Sequence, residues 1–220
     1  VTVRDRGALA AMAAGAAALT VAALVACATR PAEDVGADEA AALAGASPSA
    51  TATGGGSSVP VTAGDLPAGP EVVPPVRLEI PTIGVTARVN AVGINERTGE
   101  FEVPPSVDQI GWYRYGPGLE ATAGSVVIAG HVDSSTQGRG AFFRLRELDR
   151  GDTLTVTDGA GGERAYRVVA REEYRKTKIP LERYFARDGA PRLTLITCGG
   201  PFDAETRRYR DNIVVTAVPA

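Results

Sequence analysis

Histidine and cysteine are nearly missing from this 220-residue chain, which has one of the first, His131, and two of the second, Cys27 and Cys198. Zinc takes three or four side-chain ligands, so a single Cys and a single His in the folded part leave no metal centre to expect. Cys27 falls in a stretch that belongs in, or is trimmed at, a membrane, which makes the two thiols poor disulfide partners. Aromatic residues are only 5% of the chain, and 23 Lys and Arg nearly balance 26 Asp and Glu. With a net charge of -3 and no basic stripe carrying interleaved aromatics, nucleic acid is not a partner. No internal repeat is evident, and no cofactor is expected.

The chain that remains divides into three textures. Arg4 and Arg6 precede an alanine-rich apolar run over 7–28. As a helix this run is about 33 Å long, the thickness of a bilayer core. Positive charge ahead of it and none inside it predict a cytoplasmic amino terminus and an exported remainder. A cleaved signal peptide and a lipoprotein processed before Cys27, in the lipobox-like Leu24-Val25-Ala26-Cys27, are the other two readings. Anchor and lipoprotein alike tether the protein to the extracytoplasmic face of the cell membrane.

Residues 29–75 are rich in Ala, Gly, Ser, Thr and Pro, contain Gly54-Gly55-Gly56 and lack aromatics. Such a stretch buries too little apolar surface to offset its ordering entropy, and it is expected to be a disordered linker. From residue 76 to 220 the texture is that of a folded domain. Strand-like segments fall at 78–81, 85–89, 126–130, 153–157, 165–169, 193–198 and 213–218, separated by Gly and Pro turns. Helical candidates are short, at 141–148 and 180–185. The expected fold class is all-β, a barrel or sandwich.

Two of those strands, one continuously apolar and one of apolar and β-branched residues, end on chemistry. Val126-Val127-Ile128-Ala129-Gly130 runs into His131, and Leu193-Thr194-Leu195-Ile196-Thr197 runs into Cys198. Runs of this kind are buried on both faces, so the thiol and the imidazole sit at the ends of core strands, where one rim of a barrel can bring them together. Gly199 and Gly200 are expected to end the second strand. Arg207, Arg208, Arg210 and, more remotely, Lys178 are candidates for a third, cationic member. If 193–198 and 213–218 form a hairpin, Arg210 is the best placed to face Cys198, with Asp211 and Asn212 orienting it or shaping the turn. Arginine suits the place because it stays charged and offers a planar fork of donors.

The stretch Thr194-Leu195-Ile196-Thr197-Cys198 resembles the TLxTC signature of the sortases, cysteine transpeptidases of Gram-positive cell surfaces. The resemblance extends over most of 76–220. It includes Ile80-Pro81-Thr82-Ile83-Gly84-Val85, Gly111-Trp112-Tyr113, Ala129-Gly130-His131-Val132-Asp133-Ser134, Gly140-Ala141-Phe142-Phe143 and Tyr209-Arg210-Asp211-Asn212-Ile213. Cys198-Gly199-Gly200 and the Asp211-Asn212 pair are similar to class F members from actinobacteria. An additional residue between the arginine and the last strand departs from other classes and bears on the arginine assignment.

The resemblance implies a closed eight-stranded barrel with a Cys198–His131–Arg210 site. It further implies attack by Cys198 between Thr and Gly of an LPxTG-like signal on secreted proteins, and transfer of the acyl group to a peptidoglycan precursor amine. It also makes the connection 171–192 a wall of the peptide groove. Two rivals stand beside it: a cysteine peptidase that uses water in place of the amine, and a non-catalytic, surface-tethered binding domain.

Overall fold

Apolar runs with no polar face need covering on both sides, and a closed barrel provides that cover. The computed structural model describes residues 33–45, 72–97 and 99–220. Its elements, in chain order, are α1 (Ala37–Gly45), β1 (Pro75–Ile80), β2 (Val85–Val92), β3 (Ile110–Tyr113), β4 (Ser125–Gly130), β5 (Asp133–Ser134), β6 (Gly138–Arg139), β7 (Thr153–Asp158), β8 (Glu163–Arg175), α2 (Leu181–Tyr184), β9 (Arg192–Asp203) and β10 (Arg208–Pro219). Eight strands close in the order β1-β2-β3-β4-β9-β10-β8-β7, while β5 and β6 make a separate two-stranded ladder. The β2–β3 and β4–β9 pairs are parallel, and the other pairs are antiparallel.

The barrel interior is aliphatic. Leu78, Ile80, Ile110, Ile128, Leu145, Val156, Leu193 and Leu195 are wholly buried, and Phe142 closes the set beside them. Each such side chain contributes about 1.5–3 kcal/mol relative to an exposed one. All six residues of β4 are buried, as its sequence requires. Its polar member, Ser125, is satisfied by a 2.7 Å hydroxyl bond to Thr194.

Three expectations are corrected. Strand β9 does not stop at Cys198 but continues through both glycines to Asp203. The glycines are there for clearance: a Cβ on Gly199 would meet Ile213 Cγ1 at 2.6 Å, and one on Gly200, at φ +70°, would meet Asp211 Oδ2 at 2.0 Å. The pairing slips by one residue between Tyr209 and Asp211, so the strand passes the glycines as a bulge. The helical candidate at 141–148 is reduced to turns and a 3₁₀ turn, Leu145–Glu147, and that at 180–185 to the single turn of α2.

The third correction concerns the linker. Its described part, 33–45, is ordered against the barrel. Val35 exchanges both backbone hydrogen bonds with Arg171, at 2.9 and 2.8 Å. Asp34 Oδ1 accepts the backbone N–H of Glu173, Glu39 pairs with Arg150 at 2.5 Å, and Leu43 accepts from Ala190 N–H at 2.9 Å. A helix this short and alanine-rich is marginal alone, so these contacts with β8 and its neighbours hold it. The expected membrane anchor at 1–28 lies outside the described residues. Among the described residues, no helix is long and apolar enough to cross a membrane.

Candidate active site

The parallel pair β4–β9 sets the site. Its register runs Ser125↔Arg192, Val126↔Leu193, Val127↔Thr194, Ile128↔Leu195 and Ala129↔Ile196. One residue further, Thr197 Oγ1 donates a buried 2.8 Å hydrogen bond to the carbonyl of Gly130. His131 and Cys198 each lie two residues beyond the last register pair, Ala129↔Ile196. Adjacent strands lie about 4.8 Å apart, and in-register residues of a parallel pair point to the same side. The pair is pinned at both ends by hydroxyls, Ser125–Thr194 at one and Thr197–Gly130 at the other.

Both side chains line one cavity of about 1190 Å³. Cys198 is a free thiol of intermediate exposure. His131 Nε2 lies 3.1 Å from the carbonyl of Pro104. A carbonyl only accepts, so Nε2 carries the proton, and Nδ1 is the lone-pair nitrogen of the neutral ring. The backbone of His131 is held as well, since its carbonyl accepts from Phe142 N–H at 3.1 Å. Gly140 must be a glycine here, because a Cβ would meet that carbonyl at 2.3 Å.

Arg210 is placed differently from the expectation. The residue paired with Cys198 across the hairpin is Asn212, which lines the cavity, and Arg210 is not among the cavity-lining residues. Its guanidinium reaches Asp203 at 3.3 Å in an exposed ion pair. The bulge beyond Asp211 carries Arg210 away from register with the sulfur. The Asp203 carboxyl is held below the usual carboxylate range, first by the backbone N–H of Thr206 and then by Arg210 and Glu205. Of the other candidates, Arg207 and Arg208 line the cavity and Lys178 does not. Arg208 pairs with Glu100 at 3.1 Å, and Arg207 takes a left-handed backbone with φ 54°.

Two residues outside the expected set belong to the site. Lys176 Nζ stands 3.5 Å from Cys198 Sγ. Tyr209 donates a 2.6 Å hydrogen bond to Asp133 Oδ2, which ties β10 to the segment that follows His131. That acceptor and partial burial push the Tyr209 phenol up to about 12. Nothing local in the sequence marks either contact. Lys176 follows the end of β8 and crosses β10 to reach the sulfur, and Tyr209 and Asp133 are paired only by the closed barrel.

The connection between β8 and β9 lines the same cavity with Ile179, Leu181, Glu182 and Phe185. Phe185 packs edge-on against Tyr113, with ring centroids 5.3 Å apart, and Phe101 lies 6.0 Å from it. Behind this wall, Glu172 is buried and accepts from Tyr184 and Tyr174 hydroxyls at 2.7 Å each, and from Arg183 Nη2 at 3.1 Å. The same Arg183 nitrogen donates to the carbonyl of Ala37, so α1 and the wall share an anchor. Burial raises the Tyr184 phenol far above its ordinary range, and it stays neutral.

The architecture is that of solved sortases. Sortase C-1 from Actinomyces oris superposes with a TM-score of 0.51 at 21% identity, covering 66% of this chain and 72% of that one. Sortase C1 from Streptococcus suis gives 0.51 at 20% identity, with the same two coverages. Sortase A from Corynebacterium diphtheriae gives 0.50 at 18% identity, over 67% of this chain and 61% of that one. At these identities the likeness shows the fold. No curated protein matches the chain. The sequence model of the sortase domain matches residues 78–220, which takes in every barrel residue named above from Leu78 onward. With that match over well more than half of its length, the chain belongs to the sortase family.

Proposed function

We propose that this sortase is a class F-like cysteine transpeptidase acting on LPxTG-like sorting signals, with Cys198 as nucleophile and His131 as general acid and base. The observation that supports the reading is that the chain's one imidazole and the one described thiol line the same cavity, each two residues past the last pair of the β4–β9 register. Only a few per cent of a free thiol is thiolate at neutral pH, so a neighbouring base matters to the attack. The thiol proton passes to the ring nitrogen of His131 that Pro104 does not hold. Sulfur then bonds to the Thr carbonyl carbon, the carbon–nitrogen bond to Gly breaks, and the departing amine takes the proton from the imidazolium. An incoming amine, on a peptidoglycan precursor, gives its proton back to His131 as it displaces the sulfur.

Arg210 is the third member in this reading. It lies two residues from Asn212 on β10, and an exposed pair such as Arg210–Asp203 is weakly held, so the guanidinium is available to a bound peptide. Asn212, Phe185 and Leu181 line the space such a peptide would occupy. The dipositive start and apolar run at 7–28 support tethering at the extracytoplasmic face of the membrane.

The test is incubation of the full chain with a library of LPxTG-like peptides, with and without a glycine-type amine, followed by mass analysis. A thioester on Cys198 and an amine adduct are the expected products. Hydrolysis alone under both conditions assigns the protein as a peptidase, and no thioester with any peptide overturns the reading.

A further inference from the structure

We infer that Lys176 is a catalytic residue of this site, already set against the Cys198 sulfur before any substrate arrives and its counter-charge once His131 has taken the thiol proton. The inference rests on the transpeptidase reading only for the name of the reaction; the contact itself is independent of it. Lys176 Nζ is 3.5 Å from Sγ and is the one side-chain polar contact of that sulfur among the described residues. Its backbone is fixed where β8 ends, since Lys176 N–H donates to the carbonyl of Arg210 at 3.1 Å. From there the side chain must cross β10 to reach β9, a distance of about two strand spacings, or roughly 9.6 Å. On β10 the register partner of Cys198 is Asn212, which also pairs with Tyr174, two residues before Lys176.

No carboxylate forms an ion pair with Lys176 among the described residues, whereas Arg208, which lines the same cavity, and Arg210, which does not, are paired with Glu100 and Asp203. The Lys176 charge is therefore left for the sulfur. A compact ammonium with three rotatable donors suits a partner whose charge moves. As sulfur bonds to the carbonyl carbon, its negative charge passes to the carbonyl oxygen a bond length away. The ammonium follows that displacement without leaving its place. Arg210 has a different task, on the bound peptide, because it starts from Asp203 and not from the sulfur.

The experiment compares alkylation of Cys198 by anionic iodoacetate and neutral iodoacetamide in the full chain, followed at the Cys198 peptide by mass so that Cys27 does not interfere. A unit charge about 4 Å away in water changes the anionic rate by about fivefold. Lys176→Met lowers the iodoacetate-to-iodoacetamide ratio by about that factor, and Lys176→Arg keeps it. Lys178→Met removes the same net charge outside the cavity and leaves the wild-type ratio. With a cleavable peptide, Lys176→Met lowers thioester formation by about 10²-fold. An unchanged ratio in Lys176→Met overturns the counter-charge, and an unchanged thioester rate overturns its catalytic part. If the wild type makes no thioester with any peptide, the transpeptidase reading fails, and the alkylation ratio still decides Lys176.

Discussion

Two arginine–carboxylate pairs of the same chemistry flank β8 and β10 and serve opposite ends. Arg183–Glu172 closes at 3.1 Å with side chains 18% and 2% exposed; Arg210–Asp203 closes at 3.3 Å with side chains 52% and 24% exposed. The first is surrounded by two tyrosine hydroxyls and the carbonyl of Ala37, so every oxygen of Glu172 has a partner. Although Arg183 Nε is buried without a partner, a buried pair whose carboxylate is filled holds its neighbours in one arrangement, and losing one partner strands the other. The second is screened by water and can open at little expense. The contrast separates what shapes the groove from what can move within it.

Removing the buried partner is the strongest way to break this comparison. Glu172→Gln leaves Arg183 with an uncompensated charge and is expected to lower stability by about 3 kcal/mol. The denaturant midpoint reads this, and iodoacetamide alkylation of Cys198 in the still-folded fraction stays at the wild-type rate. Next in size is the link between β4 and β9, the strands that lead to His131 and Cys198. Thr197→Val removes the hydroxyl bond to Gly130 at a cost of about 1 kcal/mol, and the displaced register lowers thioester formation by up to about 10²-fold. A rate loss without a matching thermal loss would separate alignment from stability.

Tyr209 gives a smaller, pH-limited effect. Its hydrogen bond to Asp133 favours the neutral phenol, with the folded value near 12 against an ordinary 10.0. A raised value stabilises the fold fully below pH 10, and that contribution is lost as pH rises from 10 to about 12. Tyr209→Phe is therefore less stable than wild type at neutral pH, and the two denaturation midpoints converge over that alkaline window. A gap independent of pH would show that the ring, and not the hydroxyl, carries the contribution. The smallest effect belongs to the exposed pair. Asp203→Asn leaves the melting temperature where it is and, by releasing Arg210, leaves thioester formation equal or faster. A slower reaction would mean that Asp203 holds Arg210 in its working position.

How far these features could be read in advance depended on range. Leu193 to Cys198 and Val126 to His131 disclosed themselves because short runs of apolar and β-branched residues suit a strand buried in a sheet. The four-residue β3, Ile-Gly-Trp-Tyr, is too short for a period to show, and its place comes from parallel pairing with β2. Helix α1 escaped because its one large aliphatic residue, Leu43, gives no face; the backbone bonds of Val35 ahead of it to Arg171 and of Leu43 to Ala190, with the Arg183 guanidinium on the Ala37 carbonyl, supply its stability. Arg210 and Asn212 are two positions apart on a strand, and deciding between them needed the actual pairing across Gly199 and Gly200. Lys176 lies 22 residues from Cys198 and meets it only because β10 inserts between β8 and β9.

The docking of residues 33–45 changes where mechanical load enters the domain. Tension arriving along the chain from upstream of Glu33 meets the Val35–Arg171 bridge and the Glu39–Arg150 pair first, on the flank of β8. Strand β1 is shielded from that pull.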